Sequence, residues 1–203
     1  MKNLIFSLFV ILIISCKEGA KKTENTLEPY DQNLNKSAET DTEILNYTHQ
    51  IIPGKRLGAI ILNENVSAAL DSLGKPDVVD AAMGKAVSTW QKYNNKPLTI
   101  YTTMVMGVEN FSRIKTIRSL SDKYKTQENL GVKSSLDELK KHYQLTSIGT
   151  FTYQGKDYNL YSSPKGIAFE IGADQRCNGV IIYTSDMDPK SFYLPIYPTF
   201  KFQ

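Results

Sequence analysis

The chain has 203 residues, 41% hydrophobic and 22% charged, and its 24 Lys and Arg outnumber 21 Asp and Glu by three. A balance this near neutral, with the charges evenly spread, excludes the basic stripe by which proteins bind nucleic acid. The two histidines, His49 and His142, and the two cysteines, Cys16 and Cys177, sit in separate segments without HxxxH, HExxH or CxxC spacing, so no metal or cofactor is expected.

The chain opens MKNLIFSLFVILIISCKEG, where Lys2 precedes an apolar run from Leu4 to Ile14 interrupted by Ser7. That run is shorter than the ~20 residues a helix needs to cross a hydrocarbon core, and it fits the apolar centre of a secretory signal. Ile13-Ile14-Ser15-Cys16 resembles the bacterial lipobox, which implies cleavage before Cys16 and acylation of its thiol and new amine. An ordinary cleavable signal with a chance cysteine is the plainer alternative. The expectation is a signal peptide over 1–15 and a membrane anchor on Cys16, in the outer membrane facing the periplasm or at the cell surface. Lipidation leaves Cys177 without an intrachain partner, and its polar DQRCNG context suggests a loop thiol without chemical duty. Residues 16–46 hold too few large apolar side chains to offset the entropy of ordering, so they read as a flexible tether.

Residues 47–203 suit a single domain. Asn65 precedes Val66, Ala69, Leu70 and Leu73, a helical set stopped by Gly74 and Pro76. Ser135 and Glu138 have the spacing of a capping box, with Leu136, Leu139 and Tyr143 on one helical face. After each helix the apolar period changes from 3.6 to 2, through 87–93, 98–101 and 114–117 in the first half and 151–153, 158–161 and 180–183 in the second. Pro53-Gly-Lys-Arg-Leu57-Gly58 and Thr126-Gln-Glu-Asn-Leu130-Gly131 open the two halves alike. The reading is a repeat over about 51–118 and again over about 124–184, followed by an extended arm, 185–203. Tyr101 and Tyr161 are matched across the halves. A helix and then a β-meander, twice, predicts an α+β fold with an antiparallel sheet and helices on one face.

On these motifs, with the Leu-Gly-x-Pro-Asp helix exit at Leu73 to Asp77, the chain resembles the family of exported proteins built like the β-lactamase-inhibitory protein. A single such unit occurs in the small lipoprotein of the outer-membrane barrel-assembly machinery. The resemblance covers about residues 51–184. It implies protein binding and carries no catalytic residue.

No nucleophile elbow, phosphate loop or dinucleotide fingerprint is present. Ser162-Ser163-Pro164-Lys165-Gly166 has the residues of an anion-holding loop, but the matching segment in the first half is Thr-Thr-Met-Val-Met, so a hairpin turn is the better reading. Alternation puts Trp90, Tyr101 and Tyr161 on the sheet face away from the helices, where amphipathic aromatics anchor a partner. The competing reading makes Trp90 the core tryptophan and the tyrosines mere sheet cover. The aromatic tail FYLPIYPTFKFQ either packs back on the domain or docks on a partner. The expectation is a lipid-anchored, non-enzymatic envelope protein with an unidentified protein partner. An inhibitor of an exported hydrolase, or a glycan- or small-molecule-processing enzyme, stands as the alternative; the enzyme needs one concave site that gathers several carboxylates.

Overall fold

The computed structural model describes residues 48–191 and 198–203. The expected signal peptide, Cys16, the tether to residue 46 and part of the C-terminal arm lie outside the described residues. All described residues belong to the unit Lys36–Gln203; the other unit, Met1–Asn35, lies wholly outside them.

A three-stranded antiparallel sheet comprises β1 (Ile51–Ile52), β2 (Arg56–Leu57) and β3 (Ile60–Ile61). The Pro53-Gly54 motif earns its place here through close approach. Gly54, at φ +69°, turns β1 into β2, and its N–H donates to the Gly166 carbonyl at 3.1 Å. A Cβ on Gly166 would stand 2.6 Å from the Gly54 Cα, so two glycines let the small sheet touch the larger one.

Two α-helices follow the capping chemistry of the sequence. In α1 (Val66–Leu73) the Asn65 side chain accepts from the Ser67 N–H, and the Gly74 N–H closes the far end on the Leu70 carbonyl. In α2 (Leu136–His142) Ser135 and Glu138 form the reciprocal capping box. A 3₁₀ turn spans Tyr93–Asn95.

The main sheet has nine antiparallel strands. The first meander is β4 (Val78–Ala82), β5 (Lys85–Trp90), β6 (Leu98–Thr103) and β7 (Arg113–Ser119). The second is β8 (Thr146–Tyr153), β9 (Lys156–Ser163), β10 (Ile167–Ile171) and β11 (Cys177–Tyr183), and β12 (Lys201–Phe202) adds a short strand beside β8. The order is β12-β8-β9-β10-β11-β7-β6-β5-β4, so the meanders join through β11 and β7. At one end of the sheet β7, β8 and β10 finish while β9 and β11 begin. At the opposite end lie the β4–β5 turn and the β6–β7 loop.

Period-2 alternation sends successive residues of the central strands into two cores. Ile100, Ile117, Phe169 and Ile182 face one, with Leu57 from the small sheet and Leu139 from α2. Tyr101, Leu160, Ile181 and Tyr183 face the other, covered in part by Phe200. Every residue of β10 is buried, which explains its near-continuous apolar run; a fully buried Phe169 alone contributes roughly 1.5–3 kcal/mol.

The fold is therefore mostly β, and the expected α+β architecture with helices layered on one sheet face is corrected. Helices of eight and seven residues bury only Ala69, Leu136 and Leu139, too little to cover a sheet this wide. The small sheet and the Tyr124–Val132 segment fill that face instead. Of the eight strands in the two meanders, two carry no clear strand signal in the sequence. β4 is exposed at every residue and contains Asp80, so it lacks apolar alternation; β10 passes for the end of a loop because it begins directly after Gly166. Their omission also misaligned the halves. Tyr101 lies on the third strand of its meander and Tyr161 on the second, so the two do not correspond.

Candidate functional site

The three aromatic residues expected to share an open face are not brought together. Trp90 is 5% exposed in the first core, and its Nε1–H donates to the Gly74 carbonyl at 3.0 Å, serving the end of α1. Tyr161 is half-buried on that same side, with the Lys140 ammonium 5.8 Å from its ring centre. Tyr101 lies buried in the opposite core, where desolvation raises its hydroxyl pKa. Trp90, Tyr101 and Tyr161 thus contribute to the two cores and form no shared platform with one another.

Ser163 to Gly166 forms the β9–β10 turn, closed by the Gly166 N–H on the Ser163 carbonyl at 3.1 Å, with Gly166 at φ +81°. Cys177 is the first residue of β11 and not a loop residue. It is buried, its Sγ–H donates to the Gly179 carbonyl, and burial pushes the thiol pKa far up, which suppresses the thiolate. His142 is exposed, and no group of His, Cys, Asp and Glu among the described residues is arranged to hold a metal ion.

Two other regions stand out. The first is the sheet edge. Among the described residues β4 pairs only with β5, and all five of its residues are exposed. Beside it the turn residue Met83 is 91% exposed, and Val105, Met106 and Val108 project from the β6–β7 loop. That loop is held in shape: the Met104 N–H donates to the Gly84 carbonyl at 2.7 Å. The Glu109 carboxylate accepts from the Val105 N–H at 2.8 Å and from Arg113 at 2.7 Å, contacts that hold its pKa below the usual range. Apolar side chains on a braced loop next to an unpaired strand edge form a preorganised contact surface.

The second is a groove of about 430 Å³ at the end of the sheet where β7 and β10 finish. Arg118 of β7 and Glu170 of β10 form its floor, joined by two hydrogen bonds of 2.6 and 2.9 Å with side chains 3% and 2% exposed. The Arg118 guanidinium also lies 4.7 Å from the centre of the Tyr153 ring. Asp122 and Asp174 line the walls, so one concave site does gather three carboxylates. Each is already engaged: Glu170 by Arg118, Asp122 by Lys133, and Asp174 by the Arg176 backbone N–H. The Lys133 contact holds the Asp122 pKa below its usual range, the reverse of what a general acid needs.

Sequence reasoning missed both regions, though each left a mark. The edge shows as paired Val78-Val79 and the apolar loop MVMGV; the groove shows as single charges inside the apolar strands TIRSL and AFEIG.

No family model matches the chain, and no curated protein matches it. Among solved structures it is similar to a cysteine-rich secretory protein from Staphylococcus aureus subsp. aureus Mu50, with a TM-score of 0.44 and 12% identity over 74% of this chain and 52% of that one. It is similar also to an extracellular protein containing a SCP domain from Bacillus anthracis str. Ames, with a TM-score of 0.43 and 10% identity over 70% and 49% of the two chains. A DUF4309 family protein from Bacillus subtilis subsp. subtilis str. 168 has a TM-score of 0.39 and 12% identity over 64% of this chain and 88% of its own. The chain spans about half the length of the first two, and likeness this slight transfers neither fold nor function.

Proposed function

We propose that the chain is an exported protein of the cell envelope, anchored by lipid on Cys16, that binds another protein without catalysing a reaction on it. The observation that carries the reading is β4, a five-residue strand exposed along its whole length at the end of a nine-stranded sheet. An unpaired edge offers backbone N–H and C=O groups to a further strand, and Asp80 in its centre discourages indiscriminate pairing. The partner presents an extended segment with apolar side chains, and a Lys or Arg placed opposite Asp80 adds charge complementarity. Met83, Val105 and Met106 supply the apolar contact beyond the strand.

A photocrosslinking residue at Met83 in the anchored protein is expected to yield one discrete protein adduct in cells, and Val79→Lys is expected to abolish it. An adduct unaffected by Val79→Lys, or no adduct, removes the docking claim. The anchor is tested separately by labelling with a clickable fatty acid: Cys16→Ser abolishes labelling, and persistent labelling defeats the assignment.

A further inference from the structure

The floor of the groove is expensive. Desolvating a carboxylate and a guanidinium costs several kcal/mol per ion, and an apolar pair of similar volume serves stability equally well or better. Neighbouring sequence is nevertheless fitted to keep it. Gly179 lies within β11, where glycine weakens a strand, and a Cβ there would stand 2.5 Å from Glu170 Oε2 and 2.7 Å from Leu120 Cδ2. The missing side chain makes room for the Glu170 carboxylate. Two features that each lower stability thus occupy one spot, beneath an opening.

The chemistry of that opening favours one class of occupant. Four cationic side chains (Lys96, Arg118, Lys133, Arg176) face three carboxylates, a formal surplus of one charge. Arg118 and Lys133 are already paired with Glu170 and Asp122. An anion would meet the carboxylates and a cation would meet the bases. A hydroxyl group suits both, because it donates and accepts at the same atom. Tyr153 and Tyr158 are half-exposed at the mouth, and neither their hydroxyls nor the Gln154 amide hydrogen-bond to protein among the described residues. Aromatic rings take the apolar C–H face of a pyranose while their polar ends meet its hydroxyls. A second hollow of about 470 Å³ adjoins the groove across Tyr158, Asp174 and Asn178, and both volumes fall within the ~300–1,000 Å³ of ligand sites.

We infer that this groove binds a short neutral oligosaccharide, with Tyr153 and Tyr158 as stacking surfaces above the rigid, buried Arg118–Glu170 pair. The site binds and does not hydrolyse, since its carboxylates are committed to cationic or backbone partners.

The test uses the full chain in detergent, titrated separately with cellotetraose, maltotetraose and N-acetylchitotetraose by isothermal calorimetry and by amide chemical shifts. At least one binds, with shifts at Gln154, Tyr158 and Asn178, and with affinity unchanged between about 50 and about 500 mM salt. Tyr153→Leu weakens that binding at least tenfold while leaving the thermal midpoint near the parent. The double variant Arg118→Met/Glu170→Met, checked for fold by circular dichroism, loses binding. Absence of binding by all three sugars at ~10 mM, where even a millimolar Kd would register, overturns the inference. So does binding that falls steeply with salt, binding that Tyr153→Leu leaves intact, or binding retained by the folded double variant.

Discussion

Two regions of the main sheet solve opposite problems. At the β4 edge, apolar side chains meet solvent: Val79 is 55% and Met83 91% exposed, next to a loop fastened by Glu109. At the groove, charged side chains are hidden: Arg118 and Glu170 are almost wholly buried, under polar walls. Ordinary folding favours the reverse in both places, apolar groups inside and charges outside. The contrast teaches that the sheet departs from this rule in two places, at its β4 edge and at the Arg118–Glu170 pair on the central strands β7 and β10. Those departures differ in kind. The edge can be altered without touching the core, whereas the groove floor is part of it.

Breaking the floor is expected to give the largest effect. Glu170→Ala leaves a buried guanidinium and is expected to cost about 3–5 kcal/mol, read by urea denaturation. Replacing both partners with methionine is expected to recover most of that loss; a double variant no more stable than the single one contradicts this account of the floor.

Alkaline pH sharpens the picture of the second core. Burial pushes the Tyr183 hydroxyl up to about 12, and it donates to the Ser163 carbonyl at 2.7 Å; Tyr101 and Tyr158 on the same side, and Tyr143 in the first core, are raised in the same direction, each chiefly by desolvation. A raised folded pKa contributes stability that is fully present below pH ~10 and is lost as pH climbs through the folded value. Denaturation midpoints are expected to fall steadily from pH ~10 to ~12, with Tyr183 alone accounting for roughly 2 kcal/mol. Tyr183→Phe flattens that decline; a slope unchanged by the substitution would falsify the assignment.

Thr116 offers a smaller and opposite change. It is fully buried on β7, and its Oγ1 has no hydrogen-bond partner among the described residues. Thr116→Val keeps the β-branched shape and removes the unsatisfied hydroxyl, and is expected to stabilise by ~1 kcal/mol in thermal or urea unfolding. A loss of stability instead means that the hydroxyl does find a partner.

The edge completes the series with almost no stability effect. Val79→Lys is expected to move unfolding by less than ~0.5 kcal/mol, as suits a surface strand. A fall of several kcal/mol shows that β4 is structural.

Much of this fold was legible locally. Asn65, Gly74 and the Ser135–Glu138 box marked both helices because capping chemistry lies within four residues of the helix ends. The Pro164–Gly166 turn was legible for the same reason. The global class was not, because helix signals say where a helix starts and not how much surface it covers. β4 escaped since an edge strand exposed on both faces carries no alternation. The site was least legible of all. Trp90, Tyr101 and Tyr161 were placed on one face by counting period 2 within each strand, but which face is core depends on the register between strands. Arg118 and Glu170 lie 52 residues apart in sequence, and only the β7–β11–β10 order brings them together.

The most direct test of the central claim is a photocrosslinking scan in cells that compares edge positions Val79, Met83 and Val105 with groove positions Lys96 and Gln154. The account predicts one discrete protein adduct shared by the edge positions and absent from the groove positions. Adducts confined to the groove, or distributed equally over both regions, would contradict it.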